Sequence, residues 1–305
     1  MLAALAALIP VFVCIMLGLV FRRTGFLATG FWASAEKLNY YIMLPALLLS
    51  NLVEASFDGL PVATLAGLLI GTTLAAALSM ALLRRQLPMV SGAAFSSMLQ
   101  GTIRPNTFIG MAAASALWGP QGLALLAIAI AAVVPLVNLI SVAGLLAYAS
   151  PNRPGWRRLV TPIVTNPLIL ACLAGIALNT GHVSLPLGIG PTLRILGSAA
   201  LPVGLLVVGS GLDLAALHGA GRPVLVSSLF KLVLLPLITV GIALALGLPP
   251  VVVGVATLYA AQPCAPSAYV LARQMGGDAS LAASIITAQT LLAGLTIPLI
   301  LLALG

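Results

Sequence analysis

The apolar positions of this chain are not confined to one helical face, nor to every second residue. They fill whole stretches, each closed by a short polar or Gly/Pro-containing turn. A helix that is apolar all round and about 20 residues long is what a hydrocarbon core about 30 Å thick requires. Reading the stretches between turn signals predicts spans over 2–21, 34–53, 60–83, 91–117, 120–148, 160–179, 191–211, 222–246, 251–273 and 280–303. The fold class that follows is an all-α polytopic membrane protein with ten transmembrane helices. Nothing in the 305 residues is left over for a soluble domain.

Composition sharpens the picture. The chain is 61% hydrophobic and 6% charged, with mean hydropathy +1.21, whereas a soluble domain carries about 25% charged residues. Its net charge of +8 is explained by where the basic residues fall. Arg22 and Arg23 lie in the first loop, Arg84 and Arg85 in the third, Arg153, Arg157 and Arg158 in the fifth and Arg222 in the seventh, while Arg273 ends the ninth span. The second loop holds Glu54 and Asp58, and the fourth and eighth are uncharged. Basic residues concentrate on the cytoplasmic side of membrane proteins, so the alternation predicts ten spans with both termini outside. It also removes the reason to invoke a nucleic-acid partner. No positive charge precedes the first apolar stretch, so that stretch is expected to be retained rather than cleaved as a signal.

A second pattern appears when the chain is compared with itself at an offset of 157 residues, the distance from Pro10 to Pro167. Gly18 then falls on Gly175, so that "IPVFVCIMLG" overlies "NPLILACLAG", and Pro45 falls on Pro202, so that "LPALLLSNL" overlies "LPVGLLVVG". One residue of slippage brings Pro105 onto Pro263. Two halves of five spans each, 1–150 and 151–305, are the expected organisation. Because five is odd, the second half enters the membrane inverted, as in secondary transporters.

The fourth span carries the candidate chemistry. In "SGAAFSSMLQGTIRPNTFIG" an arginine, a proline and an asparagine stand together inside an apolar stretch. Pro105 has no N–H to donate and disfavours helical geometry at Arg104, so two half-helices are expected. Main-chain groups freed by such a break are costly in lipid and must face protein or a wet cavity. The corresponding place in the ninth span is "YAAQPCAPSAYVLAR", where Pro263 and Pro266 bracket a second break and Pro266 suits the first turn of a restarted helix. Paired broken helices point to a transporter's binding site. The candidate substrate contacts are Arg104, whose guanidinium matches a carboxylate, Asn106, Thr107, Gln262 and Ser267 around the breaks, and Asn51 and Asn138 on neighbouring spans. The amino ends of the half-helices add partial positive charge. Acidic residues are nearly absent from the spans, so a small organic anion is the expected cargo. Sodium held by carbonyls and hydroxyls, or proton coupling, is the alternative. Cys14, Cys172 and Cys264 show no metal-binding spacing, and no metal or cofactor is expected. Neither an H-E-x-x-H nor a G-x-S-x-G motif supports an intramembrane enzyme.

At these residues the chain resembles the auxin efflux carrier family, including bacterial members described as malonate or dicarboxylate transporters. The likeness rests on "LNYYIMLPALLLSNL", "RPNTFIG" and "AAQPCAPSAYVLARQMGGDASLAASIITAQ" and extends over nearly the whole chain. Pro105, Asn106 and Thr107 match the Asn-Pro-Asn-Thr-Tyr type motif of plant carriers, Phe108 replaces the tyrosine and Arg104 the leading asparagine. The resemblance implies two inverted five-helix repeats with the fourth and ninth spans crossing as broken helices in a moving transport part. It implies a dimeric scaffold of the first, second, sixth and seventh spans, an elevator-like slide of the cargo, substrate contact at Asn106, and the bacterial inner membrane. The arginine at position 104 suits a more highly charged acid than auxin. Coupling stays open here, because related bile-acid-type carriers use sodium.

Overall fold

The computed structural model describes residues 2–57, 59–149, 165–183, 185–219 and 221–303. Asp58, Arg153, Arg157 and Arg158, the half boundary at 150/151 and the first residues of the predicted span 160–179 lie outside the described residues.

Among the described residues every regular element is helical. Helix α1 (Leu2–Thr24) is followed by one helical run made of α2 (Thr29–Leu38), a π-turn (Asn39–Met43) and α3 (Leu44–Glu54). Then come α4 (Val62–Leu83), α5 (Gly92–Ile103) and α6 (Thr107–Tyr148). Next come α7 (Pro167–Thr180), α8 (Ile189–Ser198) and α9 (Ala200–Ser210). The last group is α10 (Arg222–Leu229), a second π-turn (Phe230–Leu234), α11 (Leu235–Ala245), α12 (Pro250–Ala261), α13 (Ser267–Met275) and α14 (Ala279–Leu302). Six stretches among the described residues are long and apolar enough to cross a membrane: Ala6–Thr24, Val62–Gln86, Thr107–Tyr148, Ile189–Ser210, Arg222–Ala245 and Ala279–Leu302. The apolar helices Pro167–Thr180 and Pro250–Ala261 are shorter. The chain is therefore a multi-pass membrane protein, helical throughout its described regular elements.

Local irregularities follow from proline. Each π-turn stands just ahead of a Leu-Pro pair, with Pro45 and Pro236 in the first turn of α3 and α11. A proline ring presses on the carbonyl four residues back and leaves it without a donor, and widening the helix there relieves the clash. At 1.5 Å per residue α6 would run about 63 Å if straight, roughly twice the hydrocarbon thickness. It turns at Gly119, whose φ of 58° and ψ of −146° suit only glycine, immediately before Pro120.

Two close helix pairs organise the interior. α1 packs along α9 and α3 along α7. A side chain at Gly18 would strike the Leu206 carbonyl, and one at Gly175 would come within 2.8 Å of Leu52 Cβ and 3.5 Å of the Leu49 carbonyl. Missing side chains at these positions let the backbones approach, as in other membrane helix pairs. Helix ends also gather into two sets. Asn179 donates to the carbonyls of Val53 and Ala55 at 2.9 and 2.8 Å, and Arg194 pairs with Glu54 at 2.6 Å. Elsewhere Asp278 N–H donates to the Ala93 carbonyl at 3.2 Å, Phe95 stacks edge-on against Tyr148, and the Arg84 guanidinium lies 5.5 Å from the Phe95 ring centre.

Candidate functional site

The site begins where two helices stop. α5 ends at Ile103 and Arg104 takes an extended conformation (φ −89°, ψ 108°). Asn106 (φ −83°, ψ 95°) then starts α6, its Oδ1 accepting from Ile109 N–H at 3.4 Å. α12 ends at Ala261, and Gln262 is likewise extended (φ −60°, ψ 137°) before α13 begins at Ser267. The two extended links pass each other antiparallel, with Pro105 opposite Cys264. Asn106 N–H donates to the Pro263 carbonyl at 2.8 Å, and Ala265 N–H to the Arg104 carbonyl at 3.3 Å. The prolines that stop the helices thus leave two donors and two acceptors that satisfy one another, as buried main chain requires.

A third partner closes the crossing. Gln289, buried on α14, accepts from Cys264 N–H at 2.8 Å and donates to the Gly101 carbonyl at 3.0 Å and to Ser227 Oγ at 3.4 Å. Ser227 in turn donates to the Met98 carbonyl at 3.2 Å. One side chain therefore ties the link after α12 to the last turn of α5 and to α10. Sequence reasoning missed Gln289. Its signal is an amide side chain deep in an uncharged last span.

Arg104 leads away from this crossing. Its Nε donates to Ser267 Oγ at 3.1 Å and its Nη2 to Asn138 Oδ1 at 2.7 Å, while Nη1 is buried without a partner. Neutral oxygens, not carboxylates, hold this guanidinium. Arg104, Thr107, Asn138 and Ser267 line one cavity of about 500 Å³. Tyr40 on the first π-turn and Asn166, which caps α7 through Leu168 and Ile169 N–H, line it as well. Glu36 is the one carboxylate in the lining among the described residues, and it is exposed, beside the exposed Lys37. Four of the seven expected site residues are thus brought together.

The other three are placed elsewhere. Asn106 is fully buried behind the crossing, and its Nδ2 has no partner. Gln262 is fully buried against Gly110, where a side chain would strike its amide, and neither of its amide atoms is partnered. Asn51 is half-buried on α3, outside the cavity lining. Asn39 serves as a tether between helices, donating to the Ala200 carbonyl at 2.9 Å. Among the described residues no three His, Cys, Asp or Glu side chains are grouped so as to hold a metal ion.

Chemically, such an arrangement can take up an anion. A guanidinium satisfied only by neutral acceptors keeps its charge, and a carboxylate displacing them gains charge-assisted, forked hydrogen bonds. The starts of α6 and α13 add their partial positive charge to the same wall.

Comparison with known proteins agrees. A family model described as membrane transport protein matches residues 157–301. A protein of Methanothermobacter thermautotrophicus described as an uncharacterized transporter is 26% identical over 295 residues, covering 95% of each chain. Both findings point to a transporter and bear out the resemblance to the auxin efflux carriers.

Proposed function

We propose, on the likeness to membrane transport proteins, that this chain is a secondary carrier of small organic anions, carboxylates above all. The observation that carries the reading is Arg104: an arginine at the gap between two helices, held by Asn138 and Ser267 at the wall of a cavity, with no carboxylate bonded to it. An intramembrane cation without an acidic partner is functional until shown otherwise.

The same reading assigns ten spans in two inverted halves, 1–150 and 151–305, with 91–117 and 251–273 as broken spans. Support comes from the helix pairs. Gly18 meets Leu206, and Gly175 meets Leu49; both partners of the second contact map onto the first at the 157-residue offset between Gly18 and Gly175. Spans one, two, six and seven then form the scaffold, proposed to be dimeric, and the remainder the moving part. On this division the cavity lies between α2 and α7 on one side and α6 and α13 on the other, where an elevator-like slide would carry it. Of its exposed lining residues, Gln274 follows Arg273 in the chain, and Glu36 also lines a pocket with Arg22 and Arg23 of the last turn of α1. Arginine-rich loops inside the cell and both termini outside, in a bacterial inner membrane, are the proposed orientation.

Purified protein in liposomes tests the carrier. Uptake of labelled mono-, di- and tricarboxylates is measured with and without sodium and proton gradients. Arg104→Ala is expected to weaken anion affinity, and Asn106→Ala to reduce transport severely while losing about 1 kcal/mol of helix capping. Wild-type transport by both variants would remove the crossing as the site, and a strict gradient requirement would replace the uncoupled carrier by a symporter.

A further inference from the structure

Lys231 is buried to 1% exposure on the π-turn Phe230–Leu234, about 14 Å along its helix from Arg222 and so near the middle of a core about 30 Å thick. The anion site described above does not use it. A lysine near a membrane surface extends its ammonium to water; this one is enclosed. α5, α12 and α14 pack against the π-turn. Neither α5 nor α14 carries an ionisable side chain, and α12 carries only Tyr259. Cys264 in the link is the titratable group within electrostatic reach of Lys231, and Arg104 lies within reach of the same thiol. Ser228, three residues earlier on the same helical run, is buried with an unpartnered hydroxyl. Two cations therefore flank the crossing, and no carboxylate compensates either of them among the described residues.

We propose that Lys231 is a resident counter-cation, which with Arg104 balances the two charges of a dicarboxylate and makes this carrier an exchanger of dianions. The inference rests on the carboxylate reading of the site. A moving part loaded with a dianion carries no net charge through the hydrocarbon, and needs no sodium or proton to accompany it. An empty moving part must cross with two uncompensated charges, which a low-dielectric core strongly disfavours. Return is then fast only when another dianion is bound, and transport becomes exchange.

The test uses labelled malonate and full-length protein in liposomes, either empty or preloaded with unlabelled malonate. Uptake into preloaded liposomes is expected to exceed uptake into empty ones by about tenfold or more, as a single uncompensated charge in hydrocarbon already suffices to do. Lys231→Met is expected to lower that ratio several-fold and to raise acetate uptake relative to malonate, while Lys231→Arg retains the wild-type ratio. Equal uptake into empty and preloaded liposomes by the wild type would overturn the proposal without any variant. An unchanged ratio in a folded Lys231→Met protein would overturn the role of this lysine. Malonate uptake under neither condition, with acetate still carried, would exclude the dianion. Uptake of no carboxylate at all would overturn the carrier reading beneath it.

Discussion

Arg104 shows how much one residue can be read in advance. An arginine beside a proline inside an apolar stretch is costly in lipid, whether it meets a ligand or holds the carbonyls freed by the break, so its presence alone singles out the place. Its partners were less legible. Asn138 and Ser267 stand 34 and 163 positions away, and only folding brings them to the guanidinium. Arg104→Lys separates charge from geometry at this position. A lysine keeps the positive charge but offers a compact ammonium in place of the planar fork, and cannot address Asn138, Ser267 and a carboxylate together. The variant is expected to fold normally and to bind dicarboxylates about tenfold more weakly, corresponding to the loss of about one charged hydrogen bond. Titration calorimetry on purified protein measures it; unaltered affinity would mean that charge alone suffices.

Between residue and molecule, the helix breaks and their supports behaved differently. The interruptions at Pro105 and Pro263 were visible because proline acts through its own backbone, whatever surrounds it. The side chains that face the cavity were harder to foresee, since adjacent helical residues point about 100° apart. Sequence places Thr107 and Asn106 side by side, yet Thr107 lines the cavity and Asn106 turns behind the crossing. Gln289 was invisible for a different reason: its two main-chain partners lie 25 and 188 positions away. Removing it has a calculable effect. Gln289→Leu leaves the buried Cys264 N–H and Gly101 carbonyl without their side-chain partner, at a cost of about 1–3 kcal/mol for an unsatisfied group. Gln100→Leu is the matched control, because neither Gln100 amide atom has a partner to lose. Melting of the purified variants in detergent is expected to fall clearly for Gln289→Leu and to stay level or rise for Gln100→Leu. The reverse order would show that Gln289 does not hold the crossing together.

At the scale of the whole molecule the informative feature is which helix ends meet. Loop charges predicted sides from sequence, and that logic used residues far apart in the chain without knowing their neighbours. In the folded protein Asn179 and Arg194 join the end of α3, whereas Arg84, Tyr148 and Asp278 gather around the start of α5. These two gatherings are expected to lie on opposite faces of the membrane, the Arg84 set inside. Two residues give access to them: Met89, 96% exposed in the turn before α5, and Leu187, wholly exposed before α8. Neither packs against the core, so a cysteine at either position leaves the fold intact. In intact cells, with Cys14, Cys172 and Cys264 replaced, a membrane-impermeant maleimide is expected to label Leu187→Cys and to spare Met89→Cys. Inverted vesicles should exchange the two results. Labelling of both from one face would break the alternation of spans on which the inverted repeat depends, and would leave Gly18 and Gly175 as two unrelated helix contacts. Labelling in the opposite sense would keep the repeat and reverse the orientation, turning the Arg104 cavity toward the outside of the cell.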